Sequence, residues 1–170
     1  MLTRKITMMA AALCVAGAAQ ADQPAAIADL TGKDGQSAGR VEIYDTDNGL
    51  LFRVSASGLS SGWHGFHVHE TGDCGNDFKA AGGHYAPEGS AHGYMSENGA
   101  HAGDLPNIWA DESGEAHADI HSAVLGMMDG SAPLMDADGS AIMIHAEGDN
   151  YQDVDSAGGR VACGVIEAAG

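Results

Sequence analysis

The chain has 170 residues, and 24 acidic against seven basic side chains give it a formal net charge of −17 at pH 7. This charge argues against nucleic acid and anionic lipid surfaces as partners, because both are polyanions that bind basic surfaces. The length fits one domain with a core of its own.

The first 21 residues have the three parts of a secretory signal peptide. Two basic residues near the start precede an apolar run at residues 6–17, and residues 19–21 read Ala-Gln-Ala, an A-x-A cleavage site. The apolar run is too short to span a membrane. We therefore expect a signal peptide at residues 1–21 and a mature domain at residues 22–170, in which five basic face 24 acidic side chains and the net charge is −19.

The cysteines fit an exported protein without a membrane anchor. Cys14 lies inside the leader, and Leu13 before it is larger than the residue that a lipid-modification box has there, so a lipid anchor is the minor alternative. Cleavage leaves Cys74 and Cys163, and an even pair of cysteines in an exported protein favours a disulfide. We expect a periplasmic protein, with secretion from the cell as the alternative.

The mature chain consists of short apolar runs separated by Gly, Asp, Asn and Ser, and no amphipathic helical repeat is evident. Residues 47–49 and 113–114 are typical hairpin turns. This pattern favours an all-β domain, an eight-stranded Greek-key sandwich or flattened barrel of immunoglobulin-like architecture. In chain order the predicted strands are residues 26–30, 40–45, 50–57, 63–69, 107–111, 115–121, 141–145 and 160–167.

Two long stretches, residues 71–106 and 147–159, lack strand character. A loop as long as the first is uncommon in a compact domain unless function or a cross-link holds it. This one contains Cys74 and four of seven candidate metal ligands. We therefore expect it to be folded by metal and disulfide rather than by a core of its own.

The fourth predicted strand ends in a pair of histidines, His67 and His69. Alternate residues of a strand share a face, so both imidazoles can reach one ion, while Phe66 and Val68 face the other side. One His-x-His pair is a weak signal on its own. The interpretation as a metal site depends on five further ligand-type residues downstream, which are His84, His92, His101, Asp104 and His145.

Six motifs of the chain occur together: Gly65-Phe66-His67-Val68-His69-Glu70, Gly72-Asp73-Cys74, Gly83-His84-Tyr85, His92-Gly93, His101-Ala102-Gly103-Asp104-Leu105 and Gly159-Arg160-Val161-Ala162-Cys163-Gly164-Val165-Ile166. From about Ile27 to Ile166, the chain resembles the copper-zinc superoxide dismutases of the bacterial, exported type. The resemblance implies an oxidoreductase that converts superoxide, a small anion, into dioxygen and hydrogen peroxide. It also implies one copper and one zinc ion per subunit. An exported copper carrier or buffer on the same fold, without dismutase activity, is the alternative function.

The resemblance implies two neighbouring metal sites, and the ligand chemistry of each set suits its metal. Four imidazoles suit a copper ion that cycles between Cu(II) and Cu(I), whereas three imidazoles and one carboxylate suit a closed tetrahedral zinc site. In the family the histidine shared by both sets bridges the metals, and it leaves copper and takes up a proton on reduction, which would make His84 catalytic. Two zinc sites without redox chemistry are the alternative. The implied copper ligands are His67, His69, His84 and His145, and the implied zinc ligands are His84, His92, His101 and Asp104.

Two further residues receive roles from the resemblance. Asp149 matches the carboxylate that hydrogen-bonds one copper ligand and one zinc ligand, here His67 and His92, and such a carboxylate fixes the orientation of both rings. Arg160 matches the catalytic arginine that guides superoxide to copper, where a planar guanidinium can hold a small anion. Without the motifs, Asp149 would be an ordinary loop residue and Arg160 a surface residue in an ion pair.

The loop before Arg160 departs from the eukaryotic relatives. Residues 145–160 contain four acidic side chains and no lysine. Steering of superoxide by a lysine-bearing loop therefore cannot be carried over to this chain. A lysine elsewhere, such as Lys79, can contribute, but the sequence does not place it.

For a few residues the sequence allows two locations in the structure. His117, Asp119 and His121 alternate along one predicted strand and so share a face, which is either a solvated outer surface or an adventitious metal site. We expect the solvated surface. His64 is either structural or on the surface. Two apolar side chains lie either in the core or at the interface of a homodimer, Trp109 and Met127.

Overall fold

The computed structural model describes residues 23–170. The predicted leader, with Cys14, lies outside this part of the chain. Antiparallel strands form one sheet with the order β5-β4-β7-β8-β1-β2-β3-β6, and a short ninth strand pairs with β1. The strands are β1 (Ala26–Gly32), β2 (Ser37–Thr46), β3 (Gly49–Ala56), β4 (Gly62–His69), β5 (Asp104–Ala110), β6 (Ala116–Ser122), β7 (Ala141–His145), β8 (Arg160–Val165) and β9 (Glu167–Ala168).

The sheet curls into a nearly closed barrel, because its two edge strands, β5 and β6, lie side by side. Strands that are distant in sequence become neighbours, since β4 pairs with β7 and β1 pairs with β8. These long connections give the Greek-key arrangement. The predicted all-β fold of eight main strands is confirmed, with the short β9 as an addition.

Side-chain alternation along the strands builds the core. In β3, Leu50, Phe52 and Val54 are buried inside the barrel, whereas Leu51 and Arg53 lie on the outer face. Burial of an apolar side chain of this size stabilises the fold by about 2 kcal/mol. The interior of the barrel is therefore an apolar core, which leaves the outer surface to carry the functional site.

Most strand boundaries match the sequence prediction within two residues, but β2 begins at Ser37, not at residue 40, and β5 also begins three residues early. This strand begins at Asp104, not at residue 107, so it includes Pro106. Proline cannot donate to a sheet hydrogen bond, but β5 is an edge strand of the hydrogen-bonded order and tolerates the missing donor. By contrast, β7 matches the predicted run of residues 141–145.

A bulge at Gly65 sets the orientation of the end of β4. The pairing of β4 with β5 shifts register between His64 and Phe66. A Cβ atom at Gly65 would lie 2.8 Å from the Cβ of Ala157 and 3.1 Å from the His67 ring, so a larger residue does not fit. The glycine thus allows the loop containing Ala157 to pack directly against the start of the histidine segment.

Two long loops cover the outer face of the barrel beside β4 and β7. The first long loop comprises residues 70–103 and includes a 3-10 turn at Lys79–Ala81, and the second long loop comprises residues 146–159. Within residues 23–170, no helix is long and apolar enough to cross a membrane.

Candidate metal centre

One group of imidazoles lies where β4, β7 and the first long loop meet. Strand β4 supplies two rings, β7 supplies one from its last residue, and the loop supplies the fourth, which an isolated β-bridge ties to β4. The ligand-type nitrogens of the group lie within 4.8 Å of one another. The copper set, as we call this group, consists of His67, His69, His145 and His84.

Three buried nitrogens of the copper set have no hydrogen-bond partner: His67 Nδ1, His69 Nε2 and His145 Nε2. Each unpartnered buried polar atom costs about 1–3 kcal/mol. The opposite nitrogens are engaged, since His69 Nδ1 donates to the Gly82 carbonyl oxygen at 3.0 Å and His145 Nδ1 donates to the Gly158 carbonyl oxygen at 3.1 Å. The rings therefore direct free lone pairs into one space, which is the arrangement that a metal ion satisfies.

Burial keeps the rings of His67, His69 and His145 in the neutral form that metals bind. Desolvation lowers the pKa of His69 to about 2 and that of His145 to about 4, and it also lowers the pKa of His67. Only a deprotonated ring nitrogen can act as a ligand. The copper set is thus chemically suited to a metal that takes imidazole nitrogens.

A second group, the zinc set, gathers around the carboxylate of Asp104 at the start of β5. Its Oδ1 atom lies 2.7 Å from His84 Nδ1, 3.1 Å from His92 Nδ1 and 3.3 Å from His101 Nδ1. Its Oδ2 atom accepts hydrogen bonds from two backbone amides of the first long loop. Three nitrogens and one carboxylate oxygen form a donor set that suits tetrahedral zinc.

The Asp104 carboxylate is held in its ionised form. Burial alone would raise its pKa, but the hydrogen bonds from His84 and from the Gly93 amide outweigh this effect and hold the pKa well below its usual range. An ionised carboxylate that faces three imidazoles needs positive charge at the centre of the group. A divalent cation supplies that charge.

His84 belongs to both groups. Its Nδ1 atom faces Asp104, which leaves Nε2 for the copper set. The ring centroid lies 4.1 Å from that of His67 and 5.0 Å from that of His92, one ring from each group. The position of His84 therefore suits an imidazole that contacts two metals at once.

Asp149 connects the two groups from the second long loop. Its buried carboxylate lies 3.0 Å from His67 Nε2 and 3.2 Å from His92 Nε2. Burial alone would raise the pKa of Asp149, but the hydrogen bonds from His67 and from the Tyr151 amide hold it below its usual range. The carboxylate thus orients one ring of each set.

Arg160 begins β8 beside the copper set. Its guanidinium donates to the carbonyl oxygens of Phe78 and Gly82, and the Gly82 oxygen also accepts from His69. Desolvation lowers the pKa of Arg160, yet no carboxylate pairs with it among residues 23–170. Its positive charge is therefore available to an anion.

A left-handed turn presents the Phe78 carbonyl to Arg160. Asn76, Asp77 and Phe78 have φ angles of 51°, 54° and 67°. This region costs about 1–2 kcal/mol per residue for most L-amino acids and less for Asn and Asp. The buried ring of Phe78 packs with Ala81 and Met143, and this packing offsets part of the cost.

A disulfide joins Cys74 of the first long loop to Cys163 of β8, as the cysteine count predicted. Both residues pack in the same small apolar cluster as Phe78. The bond fixes the loop to the strand that carries Arg160. The disulfide therefore anchors the loop, as expected, and the contribution of metal to its folding stays a prediction.

A cavity of about 400 Å³ opens onto the copper set. Three imidazoles of that set line it, together with three cations and two carboxylates. One of these cations, Lys33, has no signal in the sequence, because it lies in the turn between β1 and β2, far along the chain from every motif. The charged lining residues are Lys33, Lys79, Arg160, Asp77 and Asp155.

The remaining histidines lie outside both groups. His117 and His121 are exposed on the outer face of β6, where Asp119 between them pairs with Arg53, so the interpretation as a solvated surface is confirmed. His64 is structural, since its buried ring contacts the carbonyl oxygen of His145 at 2.6 Å.

Comparisons with known proteins agree with this geometry. A sequence model of the family described as copper/zinc superoxide dismutase (SODC) matches residues 37–166. A superoxide dismutase [Cu-Zn] of Caulobacter vibrioides is 43% identical over 140 residues, which cover 79% of this chain and 80% of the relative. A superoxide dismutase [Cu-Zn] 2 of Aquifex aeolicus is 34% identical over 164 residues, which cover 94% of this chain and 96% of the relative.

Solved structures show the same fold. A SOD-like protein from Bacillus subtilis superposes with a TM-score of 0.78 at 32% identity, covering 83% of this chain and 97% of the other. The Cu/Zn superoxide dismutase from Brucella abortus superposes with a TM-score of 0.67 at 31% identity, covering 83% of this chain and 98% of the other.

Proposed function

The chain belongs to the copper/zinc superoxide dismutase family, and from that membership we propose how its own residues bring about the dismutation of superoxide to dioxygen and hydrogen peroxide. The protein is an oxidoreductase whose cofactors are copper and zinc. The observation that carries the assignment of residues is the convergence of three buried, unpartnered imidazole nitrogens on one space.

The copper set, namely His67, His69, His84 and His145, holds copper, and the zinc set, namely His84, His92, His101 and Asp104, holds zinc. When bound, copper supplies a one-electron couple that accepts an electron from one superoxide and returns it to the next, while zinc supplies a fixed positive charge. The protein contributes rings whose orientation is already set by carbonyl oxygens and by Asp149, so little reorganisation is needed on metal binding.

His84 is the chain's own proton carrier in this scheme. Its Nδ1 atom lies within hydrogen-bonding distance of Asp104 Oδ1, and its Nε2 atom faces the copper set. Conversion of superoxide to hydrogen peroxide consumes protons. An imidazole nitrogen at this position can hold a proton beside the reacting oxygen and donate it.

Arg160 receives the substrate. Its guanidinium is held by two carbonyl oxygens and keeps its charge, so it can bind superoxide next to the copper set without a change of conformation. This role requires position and charge but no metal ligation. Variants of Arg160 should therefore change the rate and leave the metals in place.

Metal analysis combined with a superoxide-decay assay tests the proposal. We expect one copper and one zinc per chain after reconstitution, and decay much faster than in protein-free controls. A copper carrier or buffer on the same fold, which is not favoured, would bind copper and leave the decay rate unchanged. Two zinc ions and a refusal of copper would contradict the assigned copper set.

We propose further that residues 1–21 are removed during export and that residues 22–170 act in the periplasm. The disulfide supports this compartment, since such bonds persist in oxidising surroundings. N-terminal sequencing of the mature protein tests the cleavage after Ala21. Secretion into the medium is the alternative, and fractionation of cells distinguishes the two.

A homodimer is also proposed, through the outer face of β4 and β5. Trp63 and Trp109 pair across these strands with ring centroids 5.1 Å apart, and they are 57% and 51% exposed. Exposed paired tryptophans are typical of protein interfaces. The other candidate interface residue, Met127, is buried in the core and so does not contribute to this surface. Solution mass measurement on wild type and on Trp63→Ser tests this surface.

A further inference from the structure

Two tyrosines join the two long loops beside the zinc set. Tyr94 belongs to the first long loop and Tyr151 to the second, and their ring centroids lie 5.4 Å apart, a separation typical of stabilising aromatic pairs. A Cβ atom at Gly93 would lie 2.0 Å from the Tyr151 carbonyl oxygen, and the Met95 amide donates to that oxygen at 3.0 Å. The backbones of the two loops are therefore in direct contact where the two rings meet.

Both tyrosine hydroxyls bond the backbone of β5. The Tyr94 hydroxyl donates to the carbonyl oxygen of Asp104, the first residue of that strand. The Tyr151 hydroxyl accepts a hydrogen bond from the Asn107 amide, further along the same strand, at 2.9 Å. Each long loop is thus bound to the edge strand of the sheet by one phenol group.

Each tyrosine is also connected to one carboxylate of the metal centre. Tyr94 bonds the backbone of Asp104, whose carboxylate belongs to the zinc set. The Tyr151 amide donates to Asp149 Oδ1 at 2.7 Å. Asn107 completes this connection, because its side chain exchanges two hydrogen bonds with the backbone of Asp149, at 2.8 and 2.9 Å. Tyr94 therefore supports the carboxylate of the zinc set, and Tyr151 supports the carboxylate that connects both sets.

The backbone of Tyr151 is unusual for a bulky residue. Its φ angle is 62°, in the left-handed region that such side chains rarely adopt. A conformation of this kind persists where the surrounding contacts require it, often at functional sites. Glycine would adopt it more readily but would lack the ring that reaches Tyr94 and the hydroxyl that reaches Asn107. Tyrosine at this position therefore indicates a role for the side chain.

We propose that Tyr94 and Tyr151 form a clamp between the two long loops and act as positioning residues for the metal centre. In the tyrosine clamp, Tyr94 fixes Asp104 for zinc, and Tyr151 fixes Asp149 for both metals. Both phenol oxygens bond the backbone of β5, so the tyrosines act through the two carboxylates and not as metal ligands. The inference rests on the proposed function, because it concerns residues that support the two metal sets assigned there.

The main experiment removes one hydroxyl at a time and measures each metal affinity by chelator competition with the other set saturated. Tyr94→Phe should lower zinc affinity about fivefold, the contribution of one hydrogen bond, and leave copper affinity unchanged. Tyr151→Phe should lower the affinity for both metals about threefold, less than a change of the carboxylate that it supports.

The matched control is Tyr44→Phe. It removes a hydroxyl on β2 that donates to Glu42 at 2.9 Å, away from both sets, and it should leave both affinities unchanged. If Tyr94→Phe and Tyr151→Phe both bind the metals as tightly as Tyr44→Phe does, the inference is wrong.

Double variants test the two connections of the clamp. In the background of Asp149→Asn, Tyr151→Phe should cause little further loss, because the carboxylate that it supports is already gone. An undiminished threefold loss would overturn the role through Asp149. Tyr94→Ser and Tyr151→Ser each remove one ring of the pair, so the double variant should lose less zinc affinity than the product of the two single losses. A loss equal to that product would show that the tyrosines act separately.

A spectrum separates positioning from general stability. Cobalt(II) bound in the zinc set has visible absorption bands that depend on the ligand geometry. These bands should shift in Tyr94→Phe and stay as in wild type in Tyr44→Phe. A variant that is only less stable would keep the wild-type spectrum when folded and loaded with cobalt, and this result would contradict positioning by Tyr94. If wild type fails to accelerate superoxide decay, the proposed function fails while affinities and spectra still test the clamp. If wild type is active and neither affinities nor spectra change, the clamp fails alone.

Discussion

The two halves of the metal centre are held in different ways. Three ligands of the copper set lie on β4 and at the end of β7, which are hydrogen-bonded to each other through pairs such as Phe66 with Ile144. In the zinc set, His92 and His101 lie in the first long loop, and only Asp104 lies on a strand. The sheet therefore fixes the geometry of the copper set. In the zinc set the dependence is reversed, because the contacts among its ligands help to hold the loop that carries them.

This difference indicates separate tasks for the two sites. A redox centre benefits from ligands that hardly move between oxidation states, and paired strands provide that rigidity. The first long loop has little apolar core, so the disulfide, the zinc set and the amides that bond Asp104 hold it. We expect the zinc set and the disulfide to contribute mainly stability and position, and the copper set to carry the chemistry. Four predictions test this division, from the largest expected effect to the smallest.

Loss of the disulfide should have the largest effect and should separate the loop from the barrel. Cys74 and Cys163 are 89 residues apart in sequence, so reduction should lower the free energy of unfolding by about 4 kcal/mol. Hydrogen exchange should show that amides of the first long loop lose protection before those of β4 and β7. Reductant should have no further effect on Cys74→Ser. Simultaneous loss of protection in loop and barrel would contradict a loop held separately.

Removal of the central carboxylate should disable the zinc set alone. Asp104→Asn keeps the size of the side chain but loses the charge that faces three imidazoles, and zinc affinity should fall on the order of 100-fold. Copper binding by the strand-borne rings should persist. Competition titrations with a chelator measure both affinities. The control is Asp129→Asn, which removes an exposed carboxylate outside both sets. An equal loss of copper would show that the copper set is not formed independently.

Asp149 links the two halves, so its replacement should affect both metals to a smaller degree. Asp149→Asn keeps the contacts that involve its backbone and weakens the orientation of His67 and His92. Affinity for copper and for zinc should each fall about 10-fold, the lower end of the range for such carboxylates. The same chelator titrations measure this change. A loss confined to one metal would mean that Asp149 orients only one ring effectively.

Arg160 should affect the rate and neither metal. Arg160→Ala should lower the superoxide rate constant about tenfold, which corresponds to about 1.4 kcal/mol. Arg160→Glu should lower it further by repulsion of the anion, and Arg160→Lys should retain part of the rate because it keeps the charge. Pulse radiolysis with measured metal content decides the order. A wild-type rate in Arg160→Glu would show that other charges guide the substrate.

The sequence predicted the parts of the molecule that depend on local pattern. The run at β7 is apolar at four of five positions, and its boundaries were found because Gly and polar residues flank it. The start of β5 was missed because Pro106 normally argues against a strand, and only the sheet order shows that this strand lies at an edge.

The sequence alone predicted more of the copper set than of the zinc set. The spacing of His67 and His69 places both on one strand face by geometry alone, whereas the role of His92 came only from the family resemblance, since a loop has no periodicity. Lys33 could not be found from the sequence, because no motif surrounds it and only the tertiary structure places its turn beside the cavity.

The left-handed turn before the 3-10 turn also limits which residues can replace those now present. Asn76 and Asp77 are exposed, so side-chain packing would allow almost any substitution there, yet their backbone admits glycine, asparagine and aspartate far more readily than valine or isoleucine. Phe78 meets a double restriction, since its backbone is left-handed and its ring fills an apolar cluster. In a library of random variants, these three neighbouring positions should therefore tolerate few residue types, and most changes recovered at the first two should be to glycine, asparagine or aspartate.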